Sequence, residues 1–245
     1  NSELDTAGTY LGSVELVMRD YQFKPRPVTL GVSWTELAAL TLDSTVGVST
    51  EETLMDAAAQ EIKKSLDFRA VRLAYQVAKS NGSSVTTFDA EAGAGTDDSY
   101  VHTAQTISQA IEKIGDDMLN QIMRGGVSRI VGGPKAVTYL RLNAGFKTTG
   151  AQPRIGGHQV GELYGIPVFK VPSSVIPEDE LLCIWKNENN EADVFLAFGT
   201  LVPFYATPIW TNPANFTHSA GLAYFGDSVI LQKRYAAIIK ITNIR

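Results

Sequence analysis

The stretch that decides the fold is STEETLMDAAAQEIKKSLDFRAVRLAYQVAKSNG, residues 49–82. Ser49 or Thr50 offers an N-cap, and Glu51 and Glu52 stand where the positive end of a helix dipole favours acids. Leu54, Ala58, Ile62 and Leu66 recur every fourth residue, and Val71, Ala74, Val77 and Ala78 continue the apolar stripe. Asn81-Gly82 supplies the stop. The spacing predicts one helix of roughly 30 residues, about 45 Å long at ~1.5 Å per residue. That is far longer than the usual globular helix. It suits a structural backbone better than a compact catalytic domain.

N-terminal to this rod the chain reads as extended. Residues 10–18 are apolar and rich in β-branched side chains, and Val28-Thr29-Leu30-Gly31-Val32-Ser33-Trp34 alternates. Pro25 and Pro27 between them disfavour a helix and suit an exposed or edge strand. Arg19, Lys24 and Arg26 make this ribbon locally basic. C-terminal to the rod, residues 82–99 are rich in Gly, Ser, Ala and Asp and read as a loop. Ile107, Ile111, Ile114, Met118 and Ile122 mark one face of a second helix, from about Thr103 to Arg124. A strand over 127–131, a Gly132-Gly133-Pro134 turn and a short helix over 135–142 complete a small α/β unit. Residues 143–162 are polar and Gly-rich. Strands follow at 166–172 and 181–185, with a Glu188–Glu191 turn from which 194–198 pairs back. The tail, 223–225, 229–231 and 235–241, is β-rich and apolar almost to its end, so a sheet is expected to hold it.

Composition narrows the function. The chain has 245 residues, 44% hydrophobic and 19% charged, which is ordinary globular usage and argues against disorder as its main character. The balance of 21 Lys+Arg against 26 Asp+Glu gives a net charge of -5. That argues against nucleic-acid binding over the whole surface and leaves room for a local basic face. One cysteine, Cys183, lies in an apolar run and reads as a buried structural thiol. No apolar run is long enough for a membrane helix. The opening Asn1-Ser2-Glu3-Leu4-Asp5 has neither Met, a basic region nor an apolar core. It reads as a processed product or a truncation, not as a signal peptide.

No catalytic constellation emerges. Gly132-Gly133-Pro134-Lys135 places Pro where a phosphate cradle needs a free N–H. Gly93-Ala94-Gly95 lacks the third glycine of a dinucleotide fingerprint, since Asp98 stands there. Thr217-His218-Ser219-Ala220-Gly221 lacks the first glycine of a nucleophile elbow. His102, His158 and His218 are far apart in the chain, and no metal-ligand spacing is present. Asp97-Asp98 and Asp116-Asp117 are adjacent pairs; on a helix neighbours point apart, so the second is no shared carboxylate site. Hence no catalytic, cofactor or metal residue is expected, and the weight moves from enzyme to structural or interaction protein.

Several segments, in order, resemble the major capsid proteins of tailed bacteriophages, most nearly those of the T-even-type myovirus group. Residues 28–38 resemble the approach to the spine helix, 40–48 the short helix and Gly turn before it, and 51–69 the spine itself. Gly156-Gly157 and Leu163-Tyr164-Gly165-Ile166-Pro167-Val168 are similar to a strand of the axial domain. Pro203-Phe204-Tyr205-Ala206-Thr207-Pro208 and Thr211-Asn212-Pro213-Ala214-Asn215-Phe216 resemble the return to the peripheral domain. The resemblance covers most of residues 10–245.

It implies an α+β fold of the Hong Kong 97 type. Residues 1–26 would be a remnant of the N-terminal arm and extended loop, 27–100 the peripheral domain with the spine helix, 101–205 the axial domain, and 206–245 the return to the peripheral domain. It departs at the front, where the family's arm and first extended-loop strand have little counterpart before Ser13. The implied function is self-assembly into hexamers and pentamers of an icosahedral head shell around double-stranded DNA, in the virion, after assembly in the host cytoplasm. Scaffold, portal, protease and decoration proteins are the further partners such a shell implies. Arg19, Lys24 and Arg26 are candidate inter-subunit contacts. Some relatives cross-link through a Lys and an Asn; Lys24 has a suitable place, but no partner is matched. The alternatives are an encapsulin-type nanocompartment shell and an α/β enzyme using the Gly-rich loops at 93–95 and 132–133.

Overall fold

The long helix starts and stops where its caps predict. In a computed structural model, which describes residues 22–81, 85–91, 97–123, 125–148, 158–186 and 194–244, a short helix α1 (Glu36–Val46) precedes α2 (Thr50–Ser80), which runs for 31 residues. Ser49 Oγ accepts from the Glu52 N–H at 3.4 Å, and Asn81 closes the far end. Gly47, at φ 68°, ends α1 in the left-handed conformation that glycine adopts without strain.

The strands form two sheets. The first joins β1 (Arg26–Thr35), β8 (Leu196–Ala206), β9 (Trp210–Asn212) and β10 (Thr217–Ile230), all antiparallel, in the order β1-β10-β8 with β9 also on β10. β1 is the edge strand that Pro25 and Pro27 predict. The second sheet has seven strands in the order β2-β11-β7-β3-β6-β5-β4. These are β2 (Val85–Asp89), β3 (Arg129–Gly132), β4 (Phe146–Thr148), β5 (His158–Leu163), β6 (Ile166–Lys170), β7 (Glu180–Ile184) and β11 (Ala236–Thr242). Helices α3 (Asp97–Ile122) and α4 (Pro134–Leu140) belong with it. β11 lies between β2 and β7, so a sheet does hold the tail.

Two apolar clusters result, and α2 serves both. Its first half places Ala58, Ile62 and Leu66 on Leu222 and Tyr224 of β10. Its second half places Ala74, Tyr75 and Ala78 in the larger cluster with Ile107, Ile111 and Ile114 of α3 and the strands β3, β7 and β11. A buried network fixes that second junction. Tyr75 Oη donates to Glu180 Oε2 at 2.6 Å, and Lys79 Nζ donates to Tyr75 Oη at 2.7 Å and lies 3.4 Å from Glu180 Oε1.

Several expectations are corrected. The loop expected over 82–99 contains β2, whose alternation is too short to stand out among its Ser and Gly neighbours and which forms by parallel pairing with β11. α3 begins at Asp97, before Thr103, because polar residues in its first turn hide the start of the stripe. The polar run 143–162 contains β4 and β5, a hairpin pair completed by β6. Residues 194–198 pair back by a single bridge, Lys186 with Val194; from Leu196 the strand leaves for β10 in the other sheet. The seven-stranded sheet draws β2 from before residue 101 and β11 from after residue 206. The expected strand over 10–18, the Gly93–Gly95 loop and the 188–191 turn lie outside the described residues.

Candidate assembly site

The four-stranded sheet has one covered face. Alternate residues of β10, including Ala220, Leu222 and Tyr224, are buried toward α2, and Val28, Leu30 and Val32 of β1 share that side. Thr200 and Tyr224 hydroxyls are hydrogen bonded across β8 and β10, and Lys63 of α2 lies 5.5 Å from the Phe204 ring centroid. β8 is otherwise exposed for most of its length, leaving Leu201 and Tyr205 open to solvent.

The sequence-predicted contact residues fall at one end of this sheet. Lys24 is exposed just before β1, and Arg26 opens the strand. Arg26 Nε lies 4.0 Å from Asp227 Oδ2, while Arg69 of α2 reaches Asp227 Oδ1 at 3.2 Å. Arg26 is thus drawn to its own chain by a long contact that leaves most of its guanidinium exposed. Arg19 lies outside the described residues.

The other end carries a feature that sequence reasoning missed. No residue of α1 is buried, although Leu37, Ala38, Ala39, Leu40, Leu42 and Val46 give it apolar side chains on every face. Leu37 is 75% exposed and Val46 62%. A surface helix normally buries one apolar face against its own core; α1 buries none, and its six apolar side chains are interleaved with Glu36, Thr41, Asp43, Ser44 and Thr45. The signal was legible as a run whose apolar residues do not gather on one face. Trp210 and Phe216, both about two-thirds exposed at 66% and 67%, extend the apolar surface beside it. A pocket of about 380 Å³ opens between α1, the start of α2 and the adjoining ends of β1 and β10, lined by Trp34, Leu40, Asp43, Thr50, Glu51, Ile209 and His218 among others. The Thr50 side chain is buried, and its hydroxyl has no hydrogen-bond partner.

The histidines do not converge. His102 is exposed on α3, His158 lies on β5, and His218 sits on β10. His218 Nε2 lies 2.5 Å from Glu36 Oε2 and Nδ1 lies 2.9 Å from Thr211 Oγ1, with Trp34 stacked at 5.7 Å. Thr211 and His218 are register partners of β9 and β10, which accounts for their contact. The Gly132-Gly133-Pro134 turn serves packing. A side chain at Gly133 would meet the Pro177 carbonyl oxygen at 2.0 Å, and Pro134 occupies the first turn of α4. Asp97 and Asp98 open α3, and Asp116 and Asp117 follow on the same helix. Among the described residues no group of three or more His, Cys, Asp or Glu comes together as a metal site. No described helix is long and apolar enough to cross a membrane.

Comparison by sequence is silent: no family model matches the chain, and no curated protein matches it. Comparison by structure is not. A chain from Microbacterium phage Oxtober96 superposes with a TM-score of 0.58 at 14% identity, covering 98% of this chain and 80% of that one. The capsid structure of the cyanophage P-SCSP1u gives a TM-score of 0.54 at 11% identity, over 96% of this chain and 80% of that one. The holo-SrpI encapsulin complex from Synechococcus elongatus PCC 7942 gives 0.51 at 11% identity, over 88% and 73%. The fold is α+β, of the Hong Kong 97 type. At such identities the likeness establishes the architecture, and what the surfaces do has to be argued from this chain's own residues.

Proposed function

We propose that the chain is the major capsid protein of a tailed bacteriophage, assembling with itself into the hexamers and pentamers of an icosahedral shell around double-stranded DNA. The observation that carries the reading is α1: a helix with apolar side chains on every face and none of its residues buried in the single chain, on a fold shared with a phage capsid structure. Assembly covers such a surface, and standard-size interfaces of about 1,600 Å² each, repeated around every subunit, hold a shell closed. In this reading α2 is the spine, the four-stranded sheet its peripheral partner, and the seven-stranded sheet with α3 and α4 the axial unit. Arg19, Lys24 and Arg26 contact neighbouring subunits, and a virion with scaffold, portal, protease and decoration partners is its setting. The T-even-type assignment rests on the order of the sequence motifs.

Negative-stain electron microscopy of the purified chain, with mass photometry and the 260/280 nm absorbance ratio, tests this. Closed shells, tubes or rings containing nucleic acid are expected. A monomer at every concentration overturns the reading. Shells holding protein cargo and no nucleic acid favour an encapsulin-type compartment, the second reading that the SrpI likeness supports.

A further inference from the structure

The two ends of the four-stranded sheet carry opposite charge. Residues 27–60 include Glu36, Asp43, Glu51, Glu52 and Asp56 and no Lys or Arg, and residues 194–230 add no Lys or Arg either; Glu61, further along α2, is paired with Lys64. Acids therefore dominate the corner of α1 and the start of α2. The partial positive charge of the α2 N-terminus is offset there by Glu51 and Glu52. At the opposite end stand Lys24 and Arg26, both exposed.

The register separates these ends. Arg26 pairs with Gly226 and Thr35 with Thr217, so β1 runs straight between them. At ~3.3 Å per residue the separation is about 30 Å. Lys24 of one copy cannot reach the pocket walled by Trp34 of the same copy. The complementary surfaces can meet only between copies.

We propose that the acidic corner, comprising the exposed α1 and the pocket lined by Trp34, Leu40, Asp43, Thr50, Glu51 and Ile209, receives the basic start of β1, with Lys24 and Arg26, from a second copy. The inference rests on the shell reading and names the contact. Asp43 and Glu51 supply charge for the cations, and Trp34, Leu40 and Ile209 supply apolar wall for their methylene stems. The α1 leucines are covered in the same step. The two patches differ, so the contact is head-to-tail, which generates rings when the rotation closes and tubes when it does not.

Charge exchange tests it. One variant carries Lys24→Glu and Arg26→Glu; the other carries Asp43→Lys and Glu51→Lys. Each alone places like charges on both patches, and each is expected to lose assembly by about tenfold or more. Mixed one to one and alternating, they restore opposite charges at every contact of a six-membered ring or a tube and at four of the five contacts of a five-membered ring, and rings, tubes or particles containing both variants are expected. Circular dichroism and melting of each variant confirm that it folds. Lys24→Glu alone, which leaves the Arg26–Asp227 contact in place, is expected to weaken assembly in the same direction. Either double variant assembling alone like the wild type overturns the contact, as does a folded mixture that stays unassembled. In both cases an assembling wild type leaves the shell reading standing. A wild type that never assembles overturns the shell reading and the contact with it.

Discussion

Cys183 is fully buried on β7, and burial pushes its thiol up to about 12. The thiolate is the reactive form, so the native chain is expected to resist a thiol-specific reagent at pH 8 and to react stoichiometrically once unfolded. Labelling of the native chain as fast as of the unfolded one overturns the structural role. The Tyr75, Lys79 and Glu180 network makes a second residue-scale prediction. Burial, together with the hydrogen bond to Glu180, raises the Tyr75 hydroxyl above its usual range. The hydrogen bond to Tyr75, ahead of the charge of Glu180, raises Lys79. In both cases the folded chain holds its proton more tightly than the unfolded one. Stability is therefore fully present below about pH 10 and falls as the pH climbs through the raised values. Tyr75→Phe leaves the buried Glu180 carboxylate without that donor. It is expected to cost about 1–3 kcal/mol at pH 7 and to flatten the alkaline fall. Denaturant midpoints at pH 7 and pH 10.5 read both effects, and an unchanged midpoint at pH 7 overturns the role given to this hydrogen bond.

At the scale of elements, the turn between β3 and α4 is built on contact rather than on ligand chemistry. A methyl group at Gly133 would lie 2.0 Å from the Pro177 oxygen and 2.7 Å from the Glu178 Cα, both backbone atoms that cannot rotate away. The same glycine donates its N–H to the Glu180 carbonyl at 3.1 Å. Gly133→Ala is expected to destabilise by about 2–4 kcal/mol, as overpacking with backbone displacement does, read as a fall in the denaturant midpoint. A neutral result would mean that the 177–180 segment yields easily. Elements of this kind divide what the sequence discloses from what it does not. α2 was legible at both ends because Ser49 and Asn81-Gly82 are local signals acting on a long stripe. β6, β7 and β11 were legible as dense apolar runs. β2, β4 and β5 were not, since β4 has three residues and the polar residues of β2 and β5 dilute their apolar signal, so these strands take their character from pairing with their partners. For the same reason the sequence could not say that residues 196–206 pair with β10. Lys24 and Arg26 were visible as a basic cluster on a ribbon. The acidic corner that faces the opposite way was invisible until β1 and β10 were paired, because its walls come from segments around residues 34–51 and 209–218.

On the scale of the whole molecule, α2 ties together two apolar clusters that the strands otherwise keep apart, so the chain carries its internal stability in its middle and its far side. The α1 corner contributes little to either cluster. That separation predicts that association can be removed without unfolding the subunit. Leu37 and Val46 are exposed at 75% and 62%, so replacing both with Gln removes almost no intramolecular packing. Gln forms helices at least as readily as Val and about as well as Leu, and exposed substitutions of this kind change stability by about 0.5 kcal/mol or less each. Burying one Leu or Val against a neighbour is worth about 1.5–3 kcal/mol. Losing the pair therefore costs each contact about 3 kcal/mol or more, roughly a hundredfold in its association constant. The double variant is expected to melt like the wild type while the concentration needed for particles, read by light scattering, rises by that order. A large drop in melting temperature with assembly intact would place α1 in the subunit's own core instead. Equal melting and equal assembly would leave the helix outside every interface and require another surface to hold the shell together.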